Sequence, residues 1–155
     1  MRLLVMGPPG AGKGTQAVVV AAALGVPHIS TGDIFRANVS AGTPLGEEAQ
    51  RYMNAGEYVP DSITNAMVRD RISHDDCTPG FLLDGYPRTL EQVNELDMML
   101  QSDGRRLDRV VELTVDTEEV VGRLLKRAQE QGRADDTAVG IRRRLEGYFD
   151  QTAPL

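Results

Sequence analysis

One stretch constrains this chain more than any other: Met6-Gly7-Pro8-Pro9-Gly10-Ala11-Gly12-Lys13-Gly14-Thr15. The apolar run Leu3-Leu4-Val5-Met6 before it reads as a buried strand. The Ala/Val/Leu run from Gln16 to Leu24 reads as a helix. Strand, glycine-rich loop and helix in that order are the setting of a phosphate-binding loop. Glycines carry no Cβ, so the backbone can curl with its N–H groups turned inward. The positive end of the following helix faces the same point. Lys13 adds a full charge that can reach the outer phosphates of a nucleotide. The spacing Gly7-x4-Gly12-Lys13 fits the general pattern, except that Gly14 stands before Thr15 where a hydroxyl residue usually follows the lysine directly. A plain flexible turn would explain the glycines, but not the strand, lysine and helix around them.

With 155 residues the chain fits one domain with a real core. A net charge of −6 argues against a general nucleic-acid binder or a membrane-surface protein, so any anion site must be a local basic cluster. Cys77 is the single cysteine, which excludes an internal disulfide and a cysteine-rich zinc site and fits a reducing cytoplasm. The segment before Gly7 is too short for a signal peptide, and Ala17 to Leu24 is too short to span a bilayer.

Further along, Gly25-Val26-Pro27 ends the first helix and His28-Ile29-Ser30 reads as a short strand. Thr31 is placed to cap a helix running to about Ala41. Thr43-Pro44 starts a second helix, ended by Gly56, and Val59-Pro60-Asp61 opens a third with Ile63, Met67 and Ile72 inward. Phe81-Leu82-Leu83-Asp84 is an apolar strand ending in a carboxylate, the position from which phosphate-loop proteins help hold Mg²⁺. A helix with Leu90, Val93, Leu96 and Leu100 on one face follows, closed by Asp103-Gly104. Arg109 to Asp116 reads as another strand. Thr117 caps a helix from Glu118 to about Arg127, with Val120, Val121, Leu124 and Leu125 inward. Ala128 to Asp136 reads as a polar loop, and Thr137 caps a last helix carrying Ile141, Leu145, Tyr148 and Phe149. Cys77 reads as structural, His28 as a strand-end residue, His74 as a surface residue, and Met98 and Met99 as core filling. The alternation predicts an α/β fold, a parallel sheet covered by helices on both faces. Its carboxyl edge, where such sheets bind ligands, would carry the glycine loop, Thr31, Asp84 and Arg88.

Arg123, Arg127, Arg133, Arg142, Arg143 and Arg144 crowd the last third of an acidic chain. Arg142 and Arg143 read as a solvated basic face. For Arg123, Arg127, Arg133 and Arg144 the phosphate loop favours a role on phosphates, which guanidinium groups meet two bonds at a time. No residue stands out as a catalytic base. An alcohol acceptor needs one, whereas a phosphate acceptor needs only to have its charge neutralised. A nucleoside monophosphate is therefore the favoured acceptor.

At this point the whole chain resembles the adenylate kinases. The resemblance rests on Gly7 through Gln16, Ile29-Ser30-Thr31-Gly32-Asp33, Gly80 through Arg88, Gly132-Arg133-Ala134-Asp135-Asp136 and Thr152-Ala153-Pro154-Leu155. Lys-Gly-Thr is the form of the loop that this family uses. The resemblance implies a P-loop fold and the reaction MgATP + AMP ⇌ 2 ADP, which balances the adenine nucleotides. Gly10, Ala11, Gly12, Lys13, Gly14 and Thr15 would hold ATP phosphates, with Arg123 and Arg127 on the same nucleotide. Thr31, Arg36, Glu57, Tyr58, Val59, Gly85, Tyr86, Pro87, Arg88 and Gln92 would hold AMP, with Thr31 and Gln92 at the base. Arg133 and Arg144 would clamp phosphates of the acceptor and the transition state. Lys13, Arg88, Arg123, Arg133 and Arg144 would be the catalytic set, and Asp84 would hold Mg²⁺ through water.

The resemblance also implies a division of the chain. Residues 1–29, 60–125 and 137–155 would form the core, 30–59 an AMP-binding flap and 126–136 a short ATP lid without zinc. Flap and lid closure would exclude water from the reaction. The expected protein is a cytoplasmic monomer whose partners are ATP and AMP, with no nucleic acid and no membrane. One departure is noted: the strand and helix that follow Ala-Pro-Leu in the family are not in this sequence. Two other readings therefore stay open, a nucleotide-binding chain impaired in catalysis and a kinase for another nucleoside monophosphate. A guanine-nucleotide switch is weaker, because no Asn-Lys-x-Asp segment is present.

Overall fold

The computed structural model describes residues 1–8, 11–57, 59–114, 116–131, 143, 145–152 and 154, with 117, 120, 128, 131, 148 and 151 described by their backbone alone. Strand β1 (Arg2–Met6) leads through the glycine loop into helix α1 (Lys13–Leu24), followed by strand β2 (His28–Ser30). Helices α2 (Thr31–Ala41), α3 (Pro44–Asn54) and α4 (Asp61–Ile72) come next, then a single 3-10 turn at Asp75–Cys77. Strand β3 (Phe81–Asp84), helix α5 (Leu90–Ser102), strand β4 (Arg109–Glu112) and helix α6 (Thr117–Gln131) complete the regular core, and Tyr148–Thr152 form a final π-helical turn. No helix among the described residues is long and apolar enough to cross a membrane.

All strand pairs are parallel, in the order β2-β3-β1-β4. Alternation along the strands builds two apolar layers, because successive side chains point to opposite faces. Leu3, Val5 and Leu82 pack with Ala17 and Ala21 of α1 on one face. Leu4, Ile29, Phe81 and Leu83 pack with Ile34, Ala49, Met67, Val68, Leu96 and Leu100 from α2 to α5 on the other. All of β3 is buried, as a central strand covered on both faces must be. Each fully buried Leu or Phe there contributes roughly 1.5–3 kcal/mol relative to exposure.

The topology sets the place for a ligand. After β1 the chain crosses to β2 at one edge, and after β3 it crosses over β1 to β4 at the other. Adjacent strands whose continuations depart in opposite directions leave a crevice beyond their carboxyl ends. Here that crevice lies between the glycine loop after β1 and the segment after Asp84. In register, Val5 faces Asp84 on one side of β3 and Ser30 faces it on the other.

Several local readings need correction. Ser30, not Thr31, caps α2, accepting from the Asp33 N–H at 3.4 Å, and Thr31 is the first helical residue. Asp116 receives the first N–H groups of α6, from Glu118 at 3.0 Å and Glu119 at 3.2 Å, while the side chain of Thr117, read as the cap, lies outside the described residues. That helix runs four residues past Arg127, through the start of the segment read as a loop. Leu90 is 65% exposed, and the buried stripe of α5 is Gln92, Leu96, Met99 and Leu100. Leu90 precedes Gln92 by two residues, about 200° around the helix, and so faces solvent. For the same reason Met98, beside the buried Met99, is exposed. The β4 strand is exposed along its length, and Leu125 and Phe149 are exposed, while Val121, Leu124 and Leu145 form a small separate cluster. Val115, Thr137 and Ile141 lie outside the described residues.

The α2–α3 hairpin shows how closely the insertion is packed. Thr43 caps α3 through the Gly46 N–H at 3.0 Å and donates to Asn38 Oδ1 at 2.8 Å. A Cβ at Gly46 would stand 2.4 Å from the Asn38 carbonyl oxygen and 2.8 Å from the Val39 nitrogen, both backbone atoms. Gly46→Ala must therefore push the two helices apart. We expect a loss of about 1–3 kcal/mol in unfolding free energy, checked by urea denaturation followed by circular dichroism; an unchanged midpoint would contradict this packing.

Candidate active site

Gly12 adopts φ 82°, a left-handed conformation open to glycine at little cost, and caps α1 with no side-chain hydrogen bond. No acidic residue sits in the first turn of α1, so none from that turn stands over the N–H groups at its start. Lys13 is the first residue of that helix. Its Nζ forms an ion pair with Asp84 Oδ1 at the end of β3. Gly14 lies alongside, where a Cβ would stand 3.8 Å from Asp84 Oδ2.

The Asp84 carboxylate has a second partner. His28 Nε2, from the start of β2, lies 2.9 Å from Asp84 Oδ2. Sequence reading left His28 as a strand-end residue. Only the strand pairing reveals the contact: His28 and Ser30 share a face of β2, and Ser30 pairs with Asp84.

Beyond Asp84 the chain turns through Gly85 (φ 85°) and a cis Tyr86–Pro87 peptide. Gly85 stands where the predicted site residues converge. A Cβ there would lie 3.0 Å from Thr31 Oγ1, 3.3 Å from Arg88 Nη2 and 3.9 Å from Lys13 Nζ. The Gly85 carbonyl accepts from Arg88 Nε at 2.8 Å and from Thr31 Oγ1 at 3.4 Å. The loop lysine and the arginine after the proline thus converge on one glycine.

Tyr86 anchors this turn from below. Its ring is buried and its hydroxyl donates to Asn65 Oδ1 at 2.7 Å. Burial pushes its ionisation well above the ordinary phenol value, so the hydroxyl stays a neutral donor. Pro87 beside it is buried as well. Gln92 is also buried, with its amide tied to the Arg88 N–H at 2.7 Å and to Asp61 Oδ1 at 2.8 Å. Thr152, near the end of the chain, donates to the Arg88 carbonyl at 2.7 Å. Asp61 and Thr152 had no sequence signal of this role, because each meets the site only through tertiary contact.

The remaining predicted residues lie around this centre. Ala11 closes a turn on the Pro8 carbonyl at 3.1 Å, and Thr15 follows in the first turn of α1. Arg36 is exposed on α2 and pairs with Asp33 at 2.5 Å; Glu57 and Val59 border the loop before α4. Arg123 pairs with Glu119 at 2.5 Å on the outer face of α6, and Arg127 stands one turn further on. Gly10, Tyr58, Arg133 and Arg144 lie outside the described residues.

A sequence profile of the adenylate kinase family matches residues 5–155. The chain belongs to the adenylate kinase family. It is 67% identical over its full length to an adenylate kinase of Nocardioides sp., covering 81% of that protein. Adenylate kinases of Kocuria rhizophila and Thermobifida fusca are 64% and 59% identical over 99% and 100% of the chain, which covers 82% of each. These relatives do not favour either of the alternative readings. For an adenylate kinase the donor set also makes chemical sense of the metal. Among the described residues no group of three or more His, Cys, Asp or Glu side chains is placed to hold an ion. A hard carboxylate such as that of Asp84 is the type of ligand that Mg²⁺ takes.

Cys77 stands apart from this chemistry. It is fully buried against Arg71 and Asp76, and burial pushes its thiol up to about 11. The reactive form is the thiolate, so the native thiol is inert near neutral pH. Labelling with a chromogenic disulfide reagent at about pH 8 should be at least about a hundredfold slower in the native than in the denatured chain. Equal rates would show the thiol to be open.

Proposed function

We propose that this chain carries out its family's reaction, phosphoryl transfer from MgATP to AMP giving two ADP, in the cleft centred on Gly85. The reaction follows from family membership; the assignment of residues to it is our reading. The observation that carries it is the convergence of Lys13 and Arg88 on Gly85.

In this reading Gly10 to Thr15 hold the ATP phosphates through backbone N–H groups, and Lys13 reaches the transferring group. Arg88 holds the AMP phosphate, with Arg36 beside it. Thr31 and Gln92 face the adenine, and Gly85, Tyr86, Pro87 and the backbone at Glu57, Tyr58 and Val59 line the acceptor site. Arg123 and Arg127 stand on ATP, and Arg133 and Arg144 on the phosphates being joined. Asp84 would hold Mg²⁺, which would supply charge neutralisation for the phosphates. Lys13 is already held in the cleft by Asp84, so an incoming phosphate meets a cation aimed at it. Arg88 is fixed likewise by its bond to the Gly85 carbonyl. Bringing two anions together costs Coulomb energy, and cations on both sides of the approach lower that cost.

Residues 30–59 and 126–136 serve as flap and lid in this reading, closing over the nucleotides to exclude water. The single, buried Cys77 is in keeping with a reducing cytoplasm. We read the working form as a monomer without zinc.

Two substitutions test the assignment. Lys13→Ala should lower kcat about 10²–10³-fold or more in a coupled ADP assay while the circular dichroism spectrum is kept. Unchanged turnover would remove Lys13 from the transfer step. Arg88→Ala should weaken AMP binding by at least about tenfold and ATP binding by less than about threefold, read by calorimetry. Equal losses for both nucleotides would move Arg88 off the acceptor site.

A further inference from the structure

The amide of Gln92 is held at both ends. It is 95% buried, being 5% exposed. Its Oε1 accepts from the backbone N–H of Arg88 at 2.7 Å, and its Nε2 donates to Asp61 Oδ1 at 2.8 Å. The second oxygen of Asp61 accepts from Thr89 Oγ1 at 3.0 Å, and Thr89 Oγ1 in turn accepts from the Gln92 backbone N–H at 3.2 Å. Asp61 is the first residue of α4, while Thr89 and Gln92 are the cap and first turn of α5.

These partners remove a freedom that a glutamine amide otherwise has. Rotation of the amide by a half-turn exchanges its oxygen and nitrogen at almost no cost in shape. A carboxylate can only accept, and a peptide N–H can only donate. The rotated amide would set its oxygen against the Asp61 carboxylate and its N–H against the Arg88 N–H. In a buried site both contacts would be repulsive and both hydrogen bonds lost. The orientation is therefore set by the chemistry of the two neighbours.

What remains on the amide is one lone pair on Oε1 and one N–H on Nε2. That pair matches a 6-amino purine, which offers an N–H beside a ring-nitrogen acceptor. It opposes a 6-oxo purine, which offers an oxygen beside a ring N–H. We propose that Asp61 is a positioning residue that locks the Gln92 amide and thereby makes the acceptor site select 6-amino over 6-oxo purine nucleotides. The proposal rests on the reading that Gln92 faces the acceptor base. Asp61 touches no nucleotide in this account and acts only through Gln92.

The experiment measures equilibrium binding of AMP, inosine monophosphate and ATP to the 155-residue chain by calorimetry. Binding needs no turnover, and ATP serves as the reference for an intact fold. Asp61→Ala should lower the AMP-to-IMP affinity ratio about tenfold, the loss of one hydrogen bond to a charged group, with ATP affinity kept. Asp61→Asn retains an oxygen that accepts from Nε2 and should restore the ratio to within about twofold of the parent chain. Gln92→Leu should bring AMP and IMP close to equal. If Gln92→Leu collapses the ratio and Asp61→Ala leaves it intact, the locking role of Asp61 is overturned and the reading of Gln92 stands. If Gln92→Leu leaves the ratio intact, the base is not read at Gln92 and both fall. Equal loss of AMP, IMP and ATP binding in Asp61→Ala, unrestored by Asp61→Asn, would reduce Asp61 to a structural residue and overturn the proposal.

Discussion

A buried carboxylate at the end of a central parallel strand cannot stand alone. Asp84 is only 6% exposed, and removing such a charge from water without partners would cost several kcal/mol. Its two oxygens are divided between Lys13, the first residue of α1, and His28, the first residue of β2. One charge thus draws together the glycine loop, the strand beside β3 and β3 itself. The same contact keeps the lysine in the cleft before any phosphate arrives. Everything proposed about transfer depends on that arrangement, because a solvent-roaming lysine would have to be ordered afresh at each binding event.

The architecture was largely legible in the sequence, for identifiable reasons. Leu3-Leu4-Val5 and Phe81-Leu82-Leu83 are continuous apolar runs, and only a strand covered on both faces uses such a run fully. Thr43-Pro44 and the glycines after α1 and α2 mark helix ends through local backbone chemistry. What misled was polarity read as a loop. Ala128, Gln129, Glu130 and Gln131 are strong helix formers, and they continue α6 because a helix may be polar where it faces water. Leu90 misled in the opposite sense, since an apolar residue at the first position of a helix need not face the core.

The candidate site was legible only where one segment carries its own chemistry. The glycine loop and the strand-ending Asp84 could be named because spacing and position alone imply their roles. His28, Asp61 and Thr152 could not. Each is an ordinary surface-type residue in its own segment, and each acquires meaning from a partner 56, 31 or 64 positions away. Gln92 lies between these cases. The family pattern singles it out, whereas the reason its amide points one way resides in α4.

The two halves of the proposed cleft are therefore held by different means. The donor half is backbone and one ion pair: a left-handed Gly12, a Cβ-free Gly14 and the N-terminus of α1, with Lys13 held by Asp84. The acceptor half is a relay of side chains. Asn65 and Asp61 on α4 hold Tyr86 and Gln92, and Gln92 holds the backbone of Arg88. A shift of α4 would be felt at once by the group proposed to read the base and by the turn that carries the arginine. Asp61, the first residue of α4, therefore ties the start of that helix, which follows directly on the segment read as the flap, to the Gln92 amide.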